Sequence, residues 1–174
     1  MSVFMPTSRA EKITDINLCN LKKLSIRVIL LDVDNTVVSY RDKSPLNGVS
    51  EWISEAKEAG FEVFIVSNNR RKERVKLIAD EFQIPFEYLA LKPLPKGFLR
   101  AFKRVGCKKS ECVVIGDQIF TDVLGANLAK MKSVLLDPIE EETGFLFKIK
   151  RKLERKMRKK YFEKVSDISE KIKE

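Results

Sequence analysis

The chain contains no histidine. That absence removes Ser–His–Asp catalysis, histidine-ligated zinc and phosphohistidine chemistry together. Its three cysteines, Cys19, Cys107 and Cys112, are isolated and lack Cys-x-x-Cys spacing. They read as reduced, mostly buried thiols of a cytoplasmic protein. Cys112 opens an apolar run with no evident base beside it, so a thiolate nucleophile is set aside. No apolar stretch approaches the roughly 20 residues needed to span a bilayer. The first residues, Met-Ser-Val-Phe-Met-Pro, lack the charged and apolar regions of a signal peptide. Internal repeats and low-complexity linkers are also missing. A cytoplasmic protein is expected, with peripheral contact to the inner membrane face as an option.

What is present suits one folded domain: 174 residues, 44% hydrophobic and 34% charged. The net charge of +9 is unevenly placed. Residues 145–174 hold 12 Lys/Arg against 5 Asp/Glu, whereas the first 144 residues hold 22 against 20. The basic excess therefore belongs to the C-terminal segment. Three regions follow: a lead-in over 1–24, a core over 25–143 and a basic tail over 144–174.

The core alternates strand-like and helix-like stretches, which predicts a parallel sheet with helical crossovers. Strands are expected at Arg27–Asp32, Phe61–Ser67, Tyr88–Leu91, Glu111–Ile115 and Ser133–Leu136. Helices are expected at Val49–Ala59, Arg71–Phe82, from Pro95 to near Gly106, and at Asp122–Lys130. A polar connection runs through Ser39–Asn47. Residues 10–24 read as a short amphipathic lead-in, and residues 137–144 as an exposed joint. Right-handed crossovers would gather all carboxyl ends of the strands on one edge.

The densest signal is Val28–Thr36, an apolar run that ends in Asp32 and Asp34. Side chains two apart on a strand point to the same side. The two carboxylates would therefore face one crevice at the strand's carboxyl end, where open α/β sheets bind ligands. Such a pair repels itself unless a proton or cation intervenes. Three further groups follow strand-like runs: Ser67-Asn68-Asn69, Lys92, and Gly116-Asp117 with Thr121-Asp122. Oxygen-only donors suit Mg²⁺ rather than zinc. A hydroxyl, a lysine and turn amides suit phosphate.

Asp32-Val33-Asp34-Asn35-Thr36, Ser67, Lys92 and Gly116-Asp117-x-x-x-Thr121-Asp122 stand in the order of the four motifs of haloacid dehalogenase-like (HAD) phosphatases. The chain resembles that superfamily over about residues 27–136. Asp-x-Asp-Asn-Thr, Ser-Asn-Asn, Lys-Pro and Gly-Asp-Gln-x-x-Thr-Asp-x-x-Gly-Ala-Asn resemble its YqeG-like branch, which is similar to mitochondrial-type phosphatidylglycerophosphate phosphatases. The resemblance implies a Rossmann-like doubly wound parallel sheet and a phosphomonoesterase with an aspartyl-phosphate intermediate. It implies Asp32 as nucleophile and Asp34 as general acid and base. Mg²⁺ would be held by Asp32, the Asp34 main-chain carbonyl and Asp117. Ser67, Asn68 and Lys92 would bind substrate. Asn68 and Asn69 serve equally well as turn formers. Asp122 would orient Lys92 or a metal-bound water, or simply cap the next helix.

HAD enzymes commonly insert a lid domain between these motifs. Here 33 positions lead from Asp34 to Ser67 and 25 from Ser67 to Lys92, each filled by ordinary core elements. No cap is expected, and an open site suits a bulky phosphate carrier. In the tail, Leu146, Ile149, Leu153, Met157, Tyr161, Val165, Ile168 and Ile172 recur at helical spacing. Lys148–Lys160 holds nine basic residues opposed by Glu154 alone. Such a helix can lie on an anionic membrane, pack on the body with a basic solvated face, or bind RNA. The charge lacks the stacking platform that RNA recognition uses. The expected substrate is phosphatidylglycerophosphate. Soluble phosphomonoesters and a non-enzymatic RNA- or ribosome-associated role are the alternatives.

Overall fold

Seven strands, all parallel to their neighbours, form one sheet with helices on both faces. The structure is a computed structural model and describes residues 2–39, 44–103, 105–140, 145–162 and 165–168. The strands are β1 (Ser8–Ala10), β2 (Val28–Leu31), β3 (Glu62–Val66), β4 (Phe86–Glu87), β5 (Cys112–Gly116), β6 (Lys132–Leu136) and β7 (Ser166–Asp167). Their order across the sheet is β4-β3-β2-β5-β6-β1-β7. The helices are α1 (Leu18–Lys23), α2 (Val49–Glu58), α3 (Lys72–Phe82), α4 (Lys96–Lys103), α5 (Leu124–Ala129) and α6 (Phe145–Phe162).

Period-two alternation divides the strands between two cores, as expected for a parallel sheet covered on both faces. Ile29, Leu31, Val63, Ile65, Val113 and Ile115 join one cluster, with Trp52 and Ile53 of α2 and Val75 and Ile78 of α3. Val28, Leu30, Phe64, Val66, Cys112 and Val114 join the other, with Phe98 of α4 and Ala126 of α5. In α2 the buried residues Val49, Trp52, Ile53 and Ala56 make one helical stripe. The chain leaves β2 toward β3 on one side, while β5 lies on the other. The crevice above that reversal is where such sheets take ligands. Among the described residues no lid domain interrupts the core.

Four segments depart from the sequence reading. The lead-in does pack on the core, with Trp52 Nε1 donating to the Ile16 carbonyl at 3.0 Å. It also begins with a strand, β1, wedged between β6 and β7. Three residues are too few to display an alternation, so the sequence pattern missed it.

The strand expected at Tyr88–Leu91 lies instead at Phe86–Glu87, paired with Ile65 and Val66. Beyond it the chain leaves the sheet, with Leu89 and Leu91 at φ of 47° and 58°. The amides of Leu89 and Ala90 donate to the carbonyls of Asn69 and Ser67 at 3.1 and 2.9 Å. These off-sheet partners outcompete the β propensity of the Tyr-Leu-Ala-Leu run. The helix expected from Asp122 is preceded by a π-helical turn over Ile119–Val123.

The tail is no appendage. After α6 the chain returns as β7 to the sheet edge. Met157 and Tyr161 of the apolar stripe face the body, whereas Ile149 and Leu153 are exposed. The face that docks is largely polar, with Glu154 and Arg158 buried. Leu146 and Ile172 of the stripe, residues 40–43 of the polar connection and residues 141–144 of the joint lie outside the described residues or side chains. The cysteines are all free; Cys112 is buried but Cys19 is exposed, against expectation. Burial raises the Cys112 thiol, consistent with an inert side chain.

Candidate active site

Asp32 is the first residue past β2, and its amide extends the ladder to the Ile115 carbonyl at 2.9 Å. Its carboxylate is buried and meets Lys92 Nζ at 2.5 Å. The same ammonium meets Asp122 Oδ1 at 2.7 Å. Lys92 therefore bridges two carboxylates whose chain segments leave different strands. Asp122 Oδ2 in turn accepts from the Gln118 amide at 3.1 Å, so this residue both caps its turn and holds Lys92. Gly116 allows that approach: an added Cβ would meet Asp122 Cβ at 2.9 Å and overlap its carboxyl group.

Asn35 follows with φ of 61°, a conformation asparagine tolerates, and turns the chain back after Asp34. The Asp34 carboxylate points to α3. Arg74 Nη2 donates to its Oδ1 and Asn69 Nδ2 to its Oδ2, each at 3.0 Å. Ser67 is buried after β3, with its Oγ accepting from the Asn69 amide at 3.0 Å. Asn68, a candidate substrate contact, spends its amide group otherwise. It donates to the Lys92 carbonyl at 2.9 Å and accepts from the Lys92 amide at 2.6 Å. That pairing makes it a clamp on the lysine's main chain. Asp32, Asp34, Ser67, Asn68 and Lys92 all line one cavity of about 450 Å³. Asp117 lies beneath it, fully buried.

Asp32, Asp117 and Asp122 offer carboxylate oxygens within 4.8 Å of one another. Asp117 Oδ1 is buried without a hydrogen-bond partner among the described residues. Burial raises the Asp32 carboxyl to about 7, against the opposing pull of Lys92. Burial likewise raises Asp117 well above the usual range, opposed by Arg151. Burial alone would lower Lys92, but Asp122 and Asp32 reverse this and keep it charged. A cluster rich in buried carboxylates with an orphaned oxygen fits a hard divalent cation. The cluster contains Asp32 and Asp117 of the expected set and adds the Asp122 carboxylate; the Asp34 carboxylate, which was not expected as a ligand, faces Arg74 and Asn69.

The sequence reading missed the residues that α6 brings. Arg151 Nη2 pairs with Asp117 Oδ2, and its Nη1 donates to Glu154 Oε2 at 2.9 Å. Glu154 is 1% exposed and also accepts from the Phe120 amide at 3.3 Å. Arg158 donates to the carbonyls of Asp117 and Leu136 at 2.6 and 2.7 Å, and to Asp137 at 2.7 Å. Lys150 bonds Gln118 Oε1 and lines the cavity. The signal was available: the one acid in a run of nine bases is the buried one. Arg74, which holds Asp34, had no comparable signal.

A doubly wound parallel sheet with these carboxylates and a lysine at its switch point defines a carboxylate-based hydrolase. The family profile described as haloacid dehalogenase-like hydrolase matches residues 28–130. The chain is 40% identical over 154 residues to Probable phosphatase YqeG of Bacillus subtilis (strain 168), covering 88% of this chain and 89% of that one. A Glyceraldehyde 3-phosphate phosphatase of Methanopyrus kandleri is 33% identical over 111 residues, 56% of this chain and 48% of that one. Among solved structures, the magnesium-bound HAD hydrolase YfnB of Bacillus subtilis superposes with a TM-score of 0.57 at 12% identity. It covers 68% of this chain and 90% of that one. The chain belongs to the haloacid dehalogenase-like hydrolase family and is a phosphatase of that family.

Proposed function

We propose that this phosphatase cleaves the phosphomonoester of phosphatidylglycerophosphate through an aspartyl-phosphate at Asp32. The observation that carries the chemistry is the buried Asp32–Lys92–Asp122 bridge on the cavity floor. Asp32 Oδ attacks phosphorus and the ester P–O bond breaks; Asp34 gives the leaving alcohol its proton. Water then attacks the acyl phosphate with Asp34 taking its proton, the bond to Asp32 breaks, and inorganic phosphate leaves. Ser67 and Lys92 hold the phosphoryl oxygens, and Asp122 fixes Lys92. Asp32, Asp117 and the Asp34 main-chain carbonyl would hold Mg²⁺, with the Asp122 carboxylate in the same cluster. Bound Mg²⁺ would neutralise charge between phosphate and carboxylate.

Three features favour a lipid carrier. The cavity has no lid among the described residues. Leu89, Leu91 and Leu94 are exposed around Lys92, with Leu91 at 53%. Ile149 and Leu153 are exposed beside Lys150, among exposed Lys152, Arg155 and Lys156. Isolated apolar tips set among cations suit the interface of an anionic bilayer. A soluble three-carbon phosphate is the second reading, favoured by the relative named Glyceraldehyde 3-phosphate phosphatase.

The test is Mg²⁺-dependent phosphate release from phosphatidylglycerophosphate in mixed micelles and from a panel of soluble esters. Asp32→Asn is expected to lower turnover on the order of 10⁴-fold or more. Activity on soluble esters without any on the micellar lipid overturns the lipid assignment. Full activity in Asp32→Asn overturns the nucleophile.

A further inference from the structure

The cavity holds two cations that hydrolysis of a single phosphate does not require. Ser67 and Lys92, with a cation that the carboxylate cluster would hold, suffice for the transferring phosphoryl group. Arg70, from the loop after β3, and Lys150, from α6, line the same cavity. We propose that Arg70 and Lys150 form a subsite for a second anion of the substrate. The ligand class is a phosphomonoester bearing another phosphate, or a phosphodiester, a few bonds from the reacting one. This rests on the phosphatase reading of the site, and not on the lipid source of the substrate.

Lys150 is held in place, unlike an ordinary surface lysine. Its helix is anchored on both following turns, at Asp117 through Arg151 and at Phe120 through Glu154. Its ammonium is half-buried against Gln118 Oε1, which also accepts from Thr121 Oγ1 at 3.1 Å. One of three ammonium donors is thereby used, leaving two for an anion in the cavity. Lys152, Arg155, Lys156, Lys159 and Lys160 of the same helix are exposed, and none of them lines the cavity. Arg70 offers a planar fork that matches phosphate oxygens in pairs. With cations entering from two elements, one phosphate can sit on the floor while its neighbour is gripped at the mouth. This gives the tail a second role, as a wall of the substrate site.

The experiment uses the full chain with Mg²⁺ and compares phenyl phosphate with glycerophosphoglycerophosphate, the water-soluble double phosphate. The readout is the ratio of kcat/KM for the double phosphate to that for phenyl phosphate. Lys150→Gln and Arg70→Gln are each expected to lower this ratio on the order of 10-fold, the scale of one charge-assisted hydrogen bond. Lys150→Arg is expected to restore most of it. Calorimetric binding of glycerophosphoglycerophosphate to Asp32→Asn, with and without Lys150→Gln, reads the same contact without turnover; a similar weakening is expected. An unchanged ratio and unchanged affinity in solution, together with unchanged turnover of phosphatidylglycerophosphate micelles, overturn the subsite. Parallel losses on both substrates also overturn it, because they assign Lys150 to holding the Gln118 turn. Loss of the ratio effect in solution, with its retention on phosphatidylglycerophosphate micelles, would assign the second anion to a lipid headgroup. An effect in solution without micellar turnover keeps the subsite and rejects the lipid.

Discussion

Arg151 donates to Asp117 twice, through Nη2 to the carboxylate Oδ2 and through Nη1 to the main-chain carbonyl at 3.2 Å. This pair ties the last helix to a carboxylate of the Asp32–Asp117–Asp122 cluster. It leaves Asp117 Oδ1 as the oxygen available to a cation. The helix thus belongs to the structure of the site, and its charge is partly spent inside the protein.

Glu154 sits between Arg151 and the Phe120 amide, 1% exposed. Replacing it with alanine removes one of the carboxylate partners of Arg151, which keeps Asp117, and takes the side-chain acceptor from the Phe120 amide. Glu154→Ala is expected to cost about 1–3 kcal/mol, the scale of leaving a buried donor without its acceptor. Lys156→Ala, on the exposed face, is expected to stay within about 0.5 kcal/mol. Urea midpoints of the two variants against the unaltered chain check both values.

Gly116→Ala places a Cβ against the Asp122 side chain. The carboxylate must shift and Lys92 shifts with it. A displacement near 1 Å at a reacting group costs about 10²-fold in rate. A loss of that order in kcat, with near-native circular dichroism, is the expected result.

Asn68 grips both main-chain polar groups of Lys92. Asn68→Ala removes two hydrogen bonds of ~0.5–1.5 kcal/mol each. A fall in kcat/KM of about 10-fold is expected, with Asn68→Asp intermediate because it keeps the acceptor alone. Steady-state kinetics on phenyl phosphate measures both.

Burial raises Asp32 to about 7 in the metal-free protein, while its unperturbed value is 3.8. The folded state holds this proton more tightly than the unfolded chain. Its stabilising contribution is therefore complete below about pH 4 and is lost as the pH rises through about 7. Asp117 acts in the same direction. Metal binding needs the deprotonated carboxylates, so the Mg²⁺-induced rise in Tm is expected to be larger at about pH 8 than at about pH 6. Thermal melts with and without Mg²⁺ test this, and Asp32→Asn is expected to flatten the difference.

Asp32, Ser67, Lys92 and Asp117 were legible because each follows an apolar run that ends in polar residues. β2 and β5 are continuous buried runs and β3 is one after Glu62, a local pattern that survives folding unchanged. Lys92 was found although its strand was misplaced, since the residues around it stay near the same edge. Asn68 was read evenly as a phosphate contact and as a turn former; its pairing with the main chain of Lys92 was in neither reading. Arg74, Arg151 and Arg158 were invisible for another reason: their partners Asp34 and Asp117 lie 40, 34 and 41 positions away.

Periodicity in the amino-acid chain was enough to establish a parallel sheet and the two carboxylates that follow β2. These follow from side-chain alternation and steric rules that act within a few residues. The same periodicity gave the tail an apolar stripe, but not the docking face of Arg151, Glu154 and Arg158 or what that face would meet. Folding answered that by bringing Asp117, the Phe120 amide and the Leu136 carbonyl into the interior, where each buried polar group must find a partner. The nine bases of Lys148–Lys160 were expected to face solvent, a membrane or RNA; Arg151 and Arg158 face Asp117 in the interior instead.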